Sequence, residues 1–267
     1  MILFNRKRKK EKFQHTYYQG DLFIAEFPKS GVTWVTTILA TLEEIYSNHD
    51  YECSKALGFG ELYRYISDDS LQIPFSSYRF RVFGGRVVKT HNCWGPQNQR
   101  CIYLYRHPGK VMASYWLMLK SQSLINKNMT LEEFCFHKDY GLSAWKKHIN
   151  SWLYASSPSA VIFFLSYEEL LTQASTCIQN ICDTFSSAEI GNSLVNRAVQ
   201  ASSRDKMIEA ESFMLKHDIR KKFKNKEDWA FVGKQDRGAS LAKSIYSLVE
   251  TMCKEEISIL YPSDLSI

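Results

Sequence analysis

Leu22-Phe23-Ile24-Ala25-Glu26-Phe27-Pro28-Lys29-Ser30-Gly31-Val32-Thr33-Trp34 is the stretch from which the rest of the chain is read. Residues 22–27 make an apolar run of strand length. From Val32 to about Asn48, apolar residues recur at helical spacing (Val35, Ile38, Leu39, Leu42, Ile45). A strand, a tight loop and a helix in that order aim backbone N–H groups and the positive end of a helix dipole at one point, where a phosphate binds. Gly31 lets the backbone approach an anion, Lys29 adds a mobile positive charge, and Ser30 and Thr33 add hydroxyls. The bland alternative is an ordinary strand-to-helix turn capped by Ser30. A nucleotide-triphosphate loop of the Walker type is disfavoured. Lys29 precedes the only glycine, and Trp34 stands where a small polar residue would hold Mg²⁺.

The chain of 267 residues suits one α/β domain or at most two small ones, and its 45% apolar and 14% aromatic content can fill a sizeable core. A net charge of +6 favours an anionic ligand. It lacks the basic, aromatic-interleaved pattern of a nucleic-acid binder, and none is expected as a partner. The seven cysteines form no Cys-x-x-Cys pair and no Cys/His cluster at zinc spacing, so they read as thiols in a reducing, cytoplasmic setting without a metal. Arg6-Lys7-Arg8-Lys9-Lys10 has no apolar segment behind it, so residues 1–18 read as a solvated basic arm ahead of a single domain at 19–267. No apolar run reaches the roughly 18 residues that span a bilayer.

Further strands are expected at Arg86–Lys89, at Cys101–Tyr105 and at Ala160–Leu165. The last, continuously apolar, suits the centre of a covered sheet. Helices are expected at Leu57–Ile66, at Gly109–Leu119 behind Pro108 and from Thr130 through Trp152, where Thr130-Leu131-Glu132-Glu133 has the capping-box form. Others follow at Ser166 onward, Ala188–Gln200 and Ser240–Leu260, and the polar stretch Lys206–Lys226 reads as a loop. Alternating strands and helices imply a three-layer αβα sandwich around a mostly parallel sheet, with ligands at the carboxyl ends of the strands.

Polar clusters fall just after four strands: Lys29–Trp34, Lys89–His91, Arg106 with Ser114, and Tyr167. Alone, a His such as His91 is more often a satisfied structural residue. Together the clusters suit a multiply anionic ligand beside a general base. Here the chain resembles the cytosolic-type sulfotransferase family, which uses 3′-phosphoadenosine 5′-phosphosulfate (PAPS). The resemblance runs over roughly residues 20 to 262. Phe27–Trp34 is similar to the family's Tyr-Pro-Lys-Ser-Gly-Thr-Thr-Trp loop, Lys89-Thr90-His91 to its Lys-Thr-His segment, Tyr103–Pro108 with Ser114 to its 3′-phosphate site, and Ser166–Glu169 to its Tyr-Glu-Asp/Glu segment.

The resemblance implies a P-loop-like fold and a role for each matched residue. Lys29 would bind the bridging oxygen, His91 would take the acceptor's proton and Lys89 would contact the sulfuryl group. Ser30, Gly31, Val32 and Thr33 would hold the 5′-phosphosulfate, while Arg106 and Ser114 would grip the 3′-phosphate. Trp34 would stack on adenine, with Tyr167 at the adenine end. Ser202-Ser203-Arg204-Asp205-Lys206-Met207 is similar to the family's Thr-Ser-Phe-x-x-Met, with Arg204 in the stacking position. The last motif falls on Phe231–Gly238, through Gly233 and Lys234, or alternatively ends at Trp229 and uses Arg220, Lys221 or Lys222. The implied activity is sulfuryl transfer from PAPS to the hydroxyl or amine of a small acceptor: a phenol, an alcohol, an amine or a sugar. A P-loop nucleotide kinase and a PAP-binding module without turnover remain as alternatives, and a homodimer is left open.

Overall fold

The computed structural model describes residues 15–48, 56–71, 73–216 and 239–262. The expectations at Gly233 and Lys234, their rivals at Arg220, Lys221 and Lys222, and the basic cluster near the N-terminus lie outside them.

Strand β1 (Leu22–Glu26) feeds the loop and then helix α1 (Val32–Ser47). Next come α2 (Phe59–Tyr65), β2 (Ile66–Asp68), β3 (Val87–Thr90), β4 (Arg100–Tyr105) and α3 (Pro108–Ser121). The chain continues through α4 (Leu131–Cys135), α5 (Leu142–Leu153), β5 (Val161–Ser166), α6 (Tyr167–Phe185), α7 (Asn192–Ala201), α8 (Arg204–Lys216), α9 (Ala239–Lys243) and α10 (Tyr246–Leu260). The five strands pair in parallel, in the order β2-β3-β1-β4-β5.

Side chains alternate across a strand, and β1 sends Leu22 and Ile24 to one face of the sheet and Phe23 and Ala25 to the other. The first pair packs with α1, α6 and α7, through residues such as Leu39, Ile178 and Val195. The second packs with α3, α5 and α10, through residues such as Val111, Trp145 and Val249. Every residue of β1 is buried, as a strand covered on both faces must be. The three layers and the parallel sheet are those expected.

Four local expectations give way. Ala160–Leu165 was expected at the sheet's centre, but β5 is an edge strand with Val161 48% exposed. Its apolar residues serve the helices above and below it rather than a sixth strand. The helix expected from Thr130 through Trp152 breaks at Phe136–Gly141. Gly141 there lies against the backbone carbonyls of Cys135 and His137, too close for any Cβ. The part of Lys206–Lys226 that is described is helical as α8, and the closing helix is interrupted between α9 and α10.

Because β1 lies between β3 and β4, the chain leaves it first to one side and then to the other. The carboxyl end of β1 is therefore the switch point at which a ligand crevice opens.

Candidate active site

Register brings the four polar clusters to one rim. Ala25 pairs with Thr90, so His91 emerges beside Glu26. Tyr105 pairs with Ser166, so Arg106 emerges beside Tyr167. The loop between β1 and α1 turns back through two left-handed residues, Lys29 (φ 80°) and Gly31 (φ 115°). Left-handed backbone at a lysine is costly and recurs where a loop must hold a set shape for a ligand. A Cβ at Gly31 would meet the Tyr167 ring at 2.5 Å, so glycine is required twice over.

The loop's side chains divide into those turned inward and those left on the rim. Ser30 is buried and its hydroxyl donates to the Phe27 carbonyl at 2.9 Å. The Val32 N–H donates to Glu26 Oε2 at 2.9 Å. Thr33 is half-buried, and its carbonyl accepts from the Thr36 and Thr37 hydroxyls. Lys29 is half-buried; burial, and then Arg106 and Lys89, lower its pKa against the pull of Glu26. An added anion would relieve that repulsion.

On the β3 side, Lys89 Nζ lies 3.0 Å from Asp68 Oδ2. Burial works against the Lys89 charge, yet Asp68 and Glu26 together hold its pKa above the ordinary lysine value. His91 Nδ1 lies 3.2 Å from the Glu26 carbonyl oxygen and 3.8 Å from Glu26 Oε1. A carbonyl only accepts, so Nδ1 carries the proton and the lone pair sits on Nε2. Burial, with Lys89 in support, lowers the His91 pKa to about 4. The imidazole is thus neutral at neutral pH, with a lone pair free on Nε2.

Across β1, the Arg106 guanidinium lies 4.5 Å from the centre of the Tyr167 ring, and Arg106 Nη1 donates to the Lys29 carbonyl at a long 3.4 Å. Its Nε is buried with no hydrogen-bond partner. A buried N–H left unpaired calls for an acceptor. Ser114 is half-buried on the second turn of α3. Trp34 stands edge-on to Tyr167 and donates its indole N–H to the Ser202 carbonyl at 2.9 Å. Ser202 itself is fully buried with its hydroxyl on Thr41, so its backbone orients Trp34 while its side chain is engaged elsewhere. Trp34, Ser203 and Arg204 share a cavity of about 640 Å³ with Gln173, where α6 kinks.

A second cavity, of about 530 Å³, opens beside His91 and is walled by Phe27, Tyr115, Tyr140 and His148. His148 went unseen in the sequence. It is 5% exposed, its Nδ1 lies 2.9 Å from the Tyr103 hydroxyl, and burial lowers its pKa to about 4. The one available signal was a histidine at helical spacing between Trp145 and Trp152, which reads as core. Glu26 was also missed, although it is the one charged residue in an otherwise apolar strand. Among the described residues no cluster of His, Cys, Asp and Glu is arranged to hold a metal.

Fold and rim define the class: a parallel α/β protein of the P-loop-like kind, with a cationic rim and a neutral imidazole at its side. The chain belongs to the sulfotransferase domain family, whose model matches residues 19–241. Sulfotransferase 1 family member D1 of Mus musculus is 27% identical over 206 residues, which cover 72% of this chain and 67% of that protein. Cytosolic sulfotransferase 7 of Arabidopsis thaliana is 26% identical over 180 residues, 61% of this chain and 55% of that protein. The matched stretch thus spans only part of these curated relatives, as little as 55% of the second. A crystal structure of retinol dehydratase with androsterone and the inactive cofactor PAP superposes with a TM-score of 0.64 at 17% identity, over 96% of this chain and 84% of that one. At that identity the likeness is one of fold.

Proposed function

We propose that the protein is a PAPS-dependent sulfotransferase, one domain from residue 19 onward, acting on a hydroxyl or amine of a small acceptor. The observation that carries this reading is the juxtaposition of the Lys29 loop, the neutral His91 and the unpartnered Arg106 Nε on one sheet rim. The rim fits the cofactor, because the repulsion at Lys29 and the orphaned Arg106 N–H both call for anions. Bound PAPS would supply the sulfuryl group, whose bond to the 5′-phosphate breaks as an acceptor oxygen attacks.

The chain's residues do the rest. The Lys29 ammonium and the loop N–H groups neutralise charge growing on the departing phosphate. His91 Nε2 removes the acceptor's proton. Lys89, fixed by Asp68, faces the transferring group. Arg106 and Ser114 hold the 3′-phosphate, and Trp34, Tyr167 and Arg204 bracket the adenine. The acceptor enters the cavity beside His91. Its aromatic walls suit a phenol or lipophilic alcohol, and Lys138 and Lys147 at its lining admit an acceptor with an anionic group.

The test is transfer of radiolabelled sulfate from PAPS across a panel of phenols, sterols, amines and sugars. Turnover is expected, and Lys29→Ala should lower it about 10²–10³-fold with folding intact. PAP binding by calorimetry without any turnover would replace this reading with that of a binding module. Magnesium-dependent ATP consumption would replace it with a kinase.

A further inference from the structure

Glu26 ends the central strand with a carboxylate that is only 3% exposed. A buried carboxylate survives when its oxygens are paired. Here Oε2 accepts the Val32 N–H at 2.9 Å, and Oε1 lies 3.8 Å from His91 Nδ1. Burial raises the Glu26 pKa, while Lys89, the Val32 N–H and Lys29 draw it back. The groups that face it are thus two ammonium ions, backbone donors and one imidazole. The imidazole turns toward it the nitrogen that already bears a proton, because the Glu26 carbonyl sits 3.2 Å from the same atom.

We propose that Glu26 is a positioning residue for His91: its backbone carbonyl holds the ring by Nδ1, and its carboxylate, 3.8 Å from the same atom, is the counter-charge for the imidazolium formed when Nε2 takes the acceptor's proton. The proton passes from the acceptor O–H to Nε2, and none passes to Glu26. A carboxylate behind a general-base histidine stabilises its charged form, as in hydrolase triads, while here the backbone carbonyl fixes the tautomer. The same side chain fastens the loop through Val32, so one residue couples the seat of the anion to the base. This inference rests on the transfer reading above for the base role of His91. The contact itself stands apart from it.

Glu26→Gln separates the two duties, since the amide oxygen can still accept the Val32 N–H but carries no charge. Two readouts are taken, with folding followed by thermal unfolding. The first is the rate at which diethyl pyrocarbonate modifies His91 at pH 7 without ligand, read from the mass of the His91 peptide. It should fall at least about threefold, because the ring loses the carboxylate 3.8 Å from Nδ1, although the backbone carbonyl and Asp68 still favour its charge. The second is steady-state transfer from PAPS: kcat should fall at least about tenfold with the KM for PAPS little changed. Glu26→Asp keeps the charge and should label faster than the Gln variant, which keeps the proposal testable if the latter folds poorly. Equal labelling rates overturn it, as does an unchanged kcat or a loss confined to the KM for PAPS. If the unaltered protein transfers nothing, the transfer reading fails, and the labelling rates still decide whether Glu26 governs His91.

Discussion

The two sides of β1 solve opposite problems. Toward β3, burial lowers the pKa of the His91 imidazole and of Lys29 and raises that of Glu26, while Asp68 and Glu26 hold that of Lys89 up against burial. Toward β4 and β5, Arg106 lies on a tyrosine face with its Nε unpartnered, while Lys110 pairs with Glu168 at a part-exposed 3.2 Å. Proton transfer needs an imidazole kept neutral, which desolvation achieves. Holding a phosphate needs a permanent charge with donors to spare, which a guanidinium supplies. Under the proposed function, chemistry and grip are divided across one strand.

The division implies different losses on the two sides. His91→Ala should lower kcat about 10²–10⁴-fold and leave PAP affinity nearly unchanged. Arg106→Ala should do the reverse: kcat at saturating PAPS is kept, and PAP affinity by calorimetry falls about ten- to hundredfold, the loss expected for hydrogen bonds to a charged group. If both variants lose affinity alike, the division is wrong.

Acid provides a second, smaller contrast, confined to the packed side. His91 and His148 are each held near a pKa of about 4, below the ordinary 6.5. Between those values the unfolded chain binds protons that the folded one refuses, so stability falls as pH drops from 6.5 toward 4. Glu26, raised by burial, acts in the opposite sense, so a variant isolates one histidine better than the whole curve does. The stability difference between the protein and His148→Gln, from urea unfolding at pH 7 and at pH 4.5, should shift by up to about 3 kcal/mol in the variant's favour at the acid end. No shift would mean that His148 is more open to water than its 5% exposure implies.

The same contrast explains what the sequence made legible. Lys29, His91, Arg106 and Tyr167 each follow a strand, and in a parallel sheet that position alone sends them to a common rim. Their mutual placement was therefore written in one dimension. Glu26 and His148 sit inside elements, where a polar residue reads as an accident of the core until its partners are seen. Ser202 had the converse fate: its place in a motif was visible, but only packing reveals that its hydroxyl turns to Thr41. In the fold, β1 and α1 were evident from unbroken periodicity, whereas β2 is three residues long and gives periodicity nothing to register. The edge position of β5 was hidden because an apolar run looks the same whether a strand or a helix covers it.

The smallest predicted effect lies off the rim and tests whether the division is local. Thr130 caps α4: its hydroxyl accepts the Glu133 N–H at 3.1 Å, and Glu133 Oε2 accepts the Thr130 N–H at 2.7 Å. The helix it starts buries Phe134, which stands edge-on to Tyr115, a wall of the cavity beside His91. Thr130→Ala removes one side of this reciprocal cap and should cost about 1 kcal/mol, seen as a Tm lower by roughly 2–4 °C. Because Leu131, Phe134 and Cys135 remain anchored in the core, kcat and PAP affinity should stay within about twofold. A fall in kcat in step with Tm would mean that the acceptor wall depends on the cap of α4. The packed side of β1 would then extend through Tyr115 as far as residue 130.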